Sequence, residues 1–210
     1  MSEPTALPYV LMLHGRTGLS DGDWQNVVAG ELAGLGVQVD VPRFTDPDEP
    51  EQAVWLTELD EHLAAAPRDA ERVVLAHSLG ATLWLHHAAV LAEPDPALRV
   101  DRVLLVSTPD PTSPRWAAPE LAGFAPTPLD AAGLRRSAAR AGLVVGDDDP
   151  LCPLDASVAL AAELKVDLDV IRGGGHLHAG TGYGYWPSMR DWVLDRHTRI
   201  RANVPASVNS

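Results

Sequence analysis

The chain has 210 residues, of which 46% are hydrophobic and 21% are charged, and its formal net charge is −13. This length fits one domain with a sizeable core, and the composition is that of an ordinary globular protein. The acidic balance argues against nucleic acid or an anionic membrane as a partner, because both bind to basic surfaces.

Six short apolar runs predict β-strands. They are rich in Val and Leu, and several lack strict alternation, which is typical of parallel strands covered on both faces. In chain order the predicted strands are Tyr9–His14, Val37–Val41, Arg72–His77, Arg102–Ser107, Gly142–Gly146 and Val166–Ile171.

Helical patterns separate these runs. The predicted helices are Asp23–Leu35, Glu51–Ala66, Leu79–Leu91, Leu154–Leu164 and Trp186–Arg196. Alternating strands and helices predict an α/β fold, with a doubly wound, mostly parallel six-stranded sheet and helices on both faces. We assign residues 1–198 to this single domain.

Two segments lack a clear pattern. Residues 108–130 contain many prolines, with Trp116 and Phe124 as the large apolar residues, and we predict a loop or short cap over the sheet edge. Any lid is therefore expected to be minimal or absent. Residues 199–210 are polar, and we expect a flexible tail there.

A serine stands between a predicted strand and a predicted helix. The segment reads Ala76-His77-Ser78-Leu79-Gly80, which is typical of a nucleophile elbow. The turn requires small residues two before and two after the serine, and Ala76 and Gly80 meet this requirement. The turn would expose the hydroxyl of Ser78, and the N–H of Leu79 at the helix start would face a developing oxyanion.

An acid and a base follow in the order that this turn predicts. Asp147, Asp148 and Asp149 follow the fifth predicted strand, and His176 follows the sixth in a glycine-rich loop. His178 is the alternative base. The carboxyl ends of parallel strands meet at one edge of the sheet, so these groups are expected to converge near Ser78.

The second oxyanion donor is expected in the loop after the first strand. His14-Gly15-Arg16 occupies this position, so the N–H of Arg16 is the first candidate and that of Thr17 the second.

Four segments of the chain form a recognisable set. They are the 9–15 strand with its His-Gly end, the Ala76–Gly80 elbow, Asp149-Pro150-Leu151-Cys152-Pro153, and Gly175-His176 followed by Gly180-Thr181-Gly182-Tyr183-Gly184-Tyr185-Trp186-Pro187. With these segments the chain resembles the α/β-hydrolase superfamily, and within it the small YdeN-like and retinoblastoma-binding-protein-type serine hydrolases. The resemblance covers residues 9 to about 195. The family usually has His-Trp where this chain has Asp23-Trp24, so the polarity near the oxyanion loop is expected to differ.

This resemblance implies a catalytic triad of Ser78, Asp149 and His176, with Asp148 as the alternative acid. It predicts an esterase-like serine hydrolase that cleaves an ester or related acyl bond of a small molecule without a cofactor. The alternative is a binding protein on a hydrolase scaffold with little or no catalysis.

Other features bear on location and metal binding. No Cys/His/carboxylate spacing matches a metal pattern, so we predict no metal site. One cysteine excludes an intramolecular disulfide framework. No apolar run is long enough to span a membrane, and the first residues lack the features of a secretory signal. The expected location is the cytoplasm.

Overall fold

The computed structural model describes residues 7–203 of the chain. Six strands form one sheet, and every neighbouring pair is parallel. The strands are β1 (Tyr9–Leu13), β2 (Gln38–Asp40), β3 (Arg72–His77), β4 (Val100–Val106), β5 (Ala138–Gly146) and β6 (Asp167–Ile171). Their order in the sheet is β2-β1-β3-β4-β5-β6. The predicted α/β fold class is confirmed.

Five of the helices lie where the sequence pattern places them, and a sixth was not predicted. The helices are α1 (Trp24–Gly34), α2 (Gln52–Ala65), α3 (Leu79–Val90), α4 (Ala131–Ser137), α5 (Leu154–Leu164) and α6 (Pro187–Leu194). The unpredicted helix, α4, is two turns long and contains Gly133, a poor helix former, so its periodic signal is weak. It packs against α3.

Helices cover the sheet on both faces, which explains the near-continuous apolar strands. Successive residues of β1 alternate between two clusters: Leu11 and Leu13 pack with helices α2 and α3, whereas Val10 and Met12 pack with α1 and α6. All four side chains are fully buried. Since both faces of the strand are removed from water, polar residues have no place in it.

Residues 108–130, here called the roof segment, lie between β4 and α4. The segment contains two short 3₁₀ helices, Pro114–Ala117 and Pro119–Phe124. Phe124 is fully buried, and its ring packs edge-on against Trp55, 5.8 Å between centroids. The roof segment is therefore anchored to the core rather than extended into solvent.

The predicted tail begins with a packed stretch. Ile200 is buried, and the carbonyl of Arg201 accepts hydrogen bonds from Trp186 Nε1 (2.7 Å) and Ser188 Oγ (3.0 Å). Residues 204–210 of the predicted tail lie outside the described residues. Within residues 7–203, no helix combines the length and apolar content that crossing a bilayer requires.

Candidate active site

Ser78 occupies a sharp, strained turn between β3 and α3. Its backbone has φ 54° and ψ −119°, a conformation that non-glycine residues rarely adopt. The turn presses α3 against the end of β1: a Cβ atom at Gly80 would lie 2.6 Å from the carbonyl oxygen of His14. Ala76, two residues before the serine, is completely buried. The small residues at both positions thus allow the close approach that the turn needs.

A continuous chain of hydrogen bonds joins Ser78, His176 and Asp149. Ser78 Oγ lies 2.8 Å from His176 Nε2, and His176 Nδ1 lies 2.8 Å from Asp149 Oδ2 and 3.1 Å from Oδ1. A neutral imidazole that donates from Nδ1 to the carboxylate leaves Nε2 free to accept the serine proton. The Asp149 side chain is 0% exposed, whereas that of His176 is 12% exposed. Asp149 is therefore shielded from solvent, whereas the His176 ring is exposed to the cavity beside Ser78.

Asp147 and Asp148, the neighbours of the acid, remain at least partly exposed, and each accepts a hydrogen bond from the loop that carries the base. Asp147 Oδ1 accepts the N–H of Gly173 at 2.7 Å, and Asp148 Oδ1 accepts the N–H of Gly175 at 2.6 Å. The three consecutive aspartates therefore attach the loop after β6 at three successive points. Only Asp149 contacts the imidazole.

The loop that carries His176 also lies directly against the end of β5. A side chain at Gly146 would overlap the backbone of Gly174 and Gly175. Since a single Cβ would separate the two strand ends, glycine at this position permits the acid and the base to meet.

His77, one residue before Ser78, forms a hydrogen bond to the loop that carries His176. Its Nε2–H donates to the backbone carbonyl of His176 at 2.9 Å, and its ring stands edge-on to Trp24. Burial, reinforced by the nearby imidazole of His176, lowers the pKa of His77 to about 4. His77 is therefore neutral at pH 7 and positions the His176 backbone. Sequence reasoning missed this role, because the elbow pattern treats the residue before the serine as variable.

Two backbone N–H groups beside Ser78 are without partners within residues 7–203: those of Leu79 and Arg16. The second candidate from the sequence, the N–H of Thr17, instead donates to the carbonyl of Pro47 at 2.8 Å. The structure therefore leaves the first candidate pair, and not Thr17, available to a ligand at Ser78.

His14 sets the direction of the Arg16 N–H. The N–H of Phe44 donates to His14 Nε2 at 2.9 Å, so the ring proton lies on Nδ1, which donates to the carbonyl of Gly15 at 2.6 Å. In a trans peptide the C=O and the following N–H point in opposite directions. Fixing the Gly15 carbonyl therefore fixes the Arg16 N–H. Burial lowers the pKa of His14, which keeps the ring neutral.

A cavity of about 440 Å³ opens onto Ser78 and His176. The roof segment forms one wall with Trp116 and Leu121, and Leu151 contributes a further apolar surface. The side chain of Arg16 is at the rim, where it pairs with Glu120 of the roof segment at 3.0 Å. The mainly apolar lining is suited to a hydrocarbon group beside the serine.

Asp23, the departure from the family pattern, ties two loops together at this cavity. Its carboxylate accepts the N–H groups of Ala179 (3.0 Å) and Ser20 (2.8 Å), and the Ser20 hydroxyl. Burial alone would raise its pKa, but these hydrogen bonds hold the pKa of Asp23 below its ordinary value.

His178, the alternative base, has its ring centroid 6.2 Å from that of His176, and its Nδ1 accepts the N–H of Gly180.

Two further sequence candidates lie apart from this chemistry. Cys152 is fully buried, and burial raises the pKa of its thiol to about 11, so it remains protonated. Within the part of the chain that the structure describes, no group of three or more His, Cys, Asp or Glu side chains is placed to hold a metal ion.

The fold and the buried elbow define an α/β hydrolase. Solved structures with the same architecture include the ydeN gene product of B. subtilis, with a TM-score of 0.76 at 23% identity over 89% of this chain and 97% of that one. They also include a thioesterase domain from the curacin biosynthetic pathway (TM-score 0.65, 17% identity, 90% and 92% covered). A monoacylglycerol lipase from Paleococcus ferrophilus has a TM-score of 0.61 at 16% identity, with 90% and 96% covered. At these identities the likeness shows the fold.

A family model described as serine hydrolase matches residues 10–195. The chain therefore belongs to the serine hydrolase family, and the resemblance to YdeN-like hydrolases seen in the sequence is confirmed. No match was found among the curated proteins with which the sequence was compared.

Proposed function

We propose that this protein hydrolyses an ester or related acyl bond of a small molecule through Ser78, His176 and Asp149. The observation that carries the proposal is the unbroken hydrogen-bond chain between these three residues, with 2.8 Å at each of its two links. A nucleophile, a base and an orienting acid are the groups that acyl transfer by a serine needs, and an ionised carboxylate bonded to the imidazole stabilises its charged form.

In the first half-reaction Ser78 Oγ attacks the substrate carbonyl carbon as its proton passes to His176 Nε2. The carbonyl oxygen becomes an oxyanion, which the N–H groups of Leu79 and Arg16 stabilise. Asp149 stabilises the imidazolium. The tetrahedral intermediate then collapses: the bond to the leaving oxygen breaks, His176 returns the proton to that oxygen, and an acyl-serine remains.

In the second half-reaction a water molecule attacks the acyl carbon and gives its proton to His176 Nε2. Collapse of the second intermediate breaks the bond to Ser78 Oγ, which takes the proton back from His176. The carboxylic acid leaves, and the starting state is restored. The proton transfers between Ser78 Oγ and His176 Nε2 follow a contact that exists in the resting structure, so these steps require little reorganisation.

The cavity supports a small acyl substrate. Its volume of about 440 Å³ is at the lower end of small-molecule sites, and Trp116, Leu121 and Leu151 offer apolar walls. Two similar structures, the thioesterase domain and the monoacylglycerol lipase, are named for cleavage of acyl bonds. We propose short to medium acyl chains, because a longer chain would have to leave the cavity.

The test combines a fluorophosphonate probe with p-nitrophenyl esters of graded chain length. The probe is expected to form one adduct, at Ser78, and the adduct should be absent in Ser78→Ala. Ester hydrolysis by Ser78→Ala should fall at least about 10³-fold.

Ser107 supplies a matched control. It follows β4 as Ser78 follows β3, its φ is also positive (50°), and it is fully buried. Ser107→Ala should keep both labelling and turnover. Labelling and turnover that survive in Ser78→Ala would overturn Ser78 as the nucleophile, and no labelling of the native protein at all would favour a binding protein on a hydrolase scaffold.

A further inference from the structure

A second cavity, of about 820 Å³, lies at the amino ends of the strands, whereas Ser78 lies at their carboxyl ends. It is bounded by the amino ends of β3 and β4, and the length of β3 separates it from the serine by about 20 Å at the usual rise per residue. We call it the arginine cavity, because five arginines line it: Arg68, Arg72, Arg99, Arg135 and Arg136.

The arginine cavity concentrates positive charge in an acidic protein. The chain has 16 basic residues and a net charge of −13, yet five of the basic residues surround this one cavity. Among the described residues, Asp101 is the only carboxylate in the lining, and its Oδ2 accepts the backbone N–H of Arg72 at 2.7 Å. Arg136 pairs with Asp130 at 3.0 Å.

The other surface arginines of the cavity are free to bind a ligand. Within residues 7–203 the guanidinium groups of Arg68, Arg99 and Arg135 make neither a hydrogen bond nor an ion pair. Like charges gathered around a concave surface repel one another, and an anion bound among them removes that repulsion.

Arg72 forms the inner wall and is itself buried, with 5% of the residue exposed. Its guanidinium donates to four backbone carbonyls rather than to a carboxylate, and its Nε is buried without a partner among the described residues. Arg102, the next buried arginine, is instead paired with Glu71 through both carboxylate oxygens. No carboxylate pairs with the Arg72 guanidinium, so Arg72 contributes positive charge to the inner wall, although its terminal N–H groups are already used by carbonyls. The four carbonyls belong to Leu63, Pro96, Ala97 and Arg99.

We propose that the arginine cavity binds a small phosphate-bearing organic molecule. Guanidinium groups match phosphate oxygens in pairs, with charge-assisted hydrogen bonds of about twice the ordinary strength. Pro94, Pro96 and Val100 add an apolar surface for the uncharged part of the ligand. The volume falls within the range of about 300–1,000 Å³ of small-molecule sites.

The charge of the whole protein favours a compact ligand over a macromolecule. An extended polyanion would also meet the acidic remainder of the surface, whereas a small anion meets only the local positive field.

The experiment is calorimetric titration of the full-length protein at low ionic strength with inorganic pyrophosphate and, separately, with ADP. Arg99→Gln/Arg135→Gln removes one partly exposed and one exposed charge and leaves the buried Arg72 in place. Arg140→Gln, on the neighbouring strand and outside the cavity, is the matched control. Unfolding temperatures without ligand should agree among the three proteins.

Saturable binding of both probes, about 10-fold or more weaker in the double variant and unchanged in the control, would support the site. Tighter binding of ADP than of pyrophosphate would identify an organic phosphate as the ligand class, and equal binding would overturn that part in favour of a free phosphoryl anion. Binding of neither probe, equal binding of sulfate, or equal loss in Arg140→Gln would overturn the proposal. So would binding of a polyglutamate peptide alone, which would point to a protein partner.

Discussion

Replacing Asp149 with asparagine is expected to lower kcat about 10⁴-fold, or about 5.5 kcal/mol of transition-state stabilisation. The carboxylate accepts the N–H of Leu151 at 2.8 Å as well as Nδ1–H of His176. An asparagine that keeps the Leu151 contact presents its NH₂ to Nδ1, so the imidazole must carry its proton on Nε2. In that tautomer Nε2 cannot accept the proton of Ser78.

The neighbouring aspartates are the comparison that makes this result specific. In Asp147→Asn and Asp148→Asn the amide oxygen can still accept the N–H of Gly173 or Gly175, so the loop is retained and kcat should fall less than about 10-fold. Asp148→Ala leaves the Gly175 N–H unpartnered and should cost about 1–3 kcal/mol of folding stability.

The assay is kcat on one p-nitrophenyl ester for the three asparagine variants, with thermal unfolding of each. A loss in Asp148→Asn as large as that in Asp149→Asn, or an Asp149→Asn enzyme within tenfold of the native one, would refute this assignment of the acid.

Three further expectations concern the residues around the site. His77 protonates near pH 4 when folded and near 6.5 when unfolded, so stability should fall by about 3 kcal/mol as the pH drops from 6.5 to 4. Denaturant titrations should show a shallower fall in His77→Gln, and an unchanged fall would contradict the buried, neutral state. Gly80→Ala should destabilise the protein by about 1–3 kcal/mol, because its Cβ meets the His14 carbonyl, whereas Gly30→Ala in an open position of α1 should be neutral or stabilising; equal unfolding temperatures would refute the close approach. His14→Phe should lower kcat about 10²-fold with little change in KM, since the Arg16 N–H loses its fixed direction. Unchanged kcat would exclude that role.

The buried strands and the elbow could be predicted from the sequence because each imposes a local requirement. Val and Leu runs mark strands covered on both faces, and the turn at Ser78 demands small residues at Ala76 and Gly80. The first part of β5, Ala138–Ala141, was missed because it consists of three alanines and Arg140 and is partly exposed, so it carries little hydrophobic signal.

The supporting contacts of the site could not be predicted in this way. In the sequence, Asp147 and Asp148 have the pattern of a solvated acidic run. Nothing in that pattern shows that their carboxylates will accept the N–H groups of Gly173 and Gly175. The role of His77 likewise depends on its hydrogen bond to the loop after β6, and that loop lies next to His77 only because of the strand order in the sheet. Local patterns identify reacting residues, whereas the residues that hold them are defined by packing.

The roof segment lines the cavity that would select the acyl chain, but it contains none of the proposed catalytic residues. It supplies Trp116 and Leu121 to the cavity wall, but the reacting side chains and the proposed oxyanion donors all lie outside it, at the ends of strands. Its attachments include the Arg16–Glu120 ion pair and the Phe124 ring on Trp55. Mutations between these anchors can reshape the acyl site while the hydrogen-bond chain stays intact. Libraries that vary the cavity-facing residues of the segment and keep Phe124 should yield altered chain-length preference while the catalytic contacts are retained.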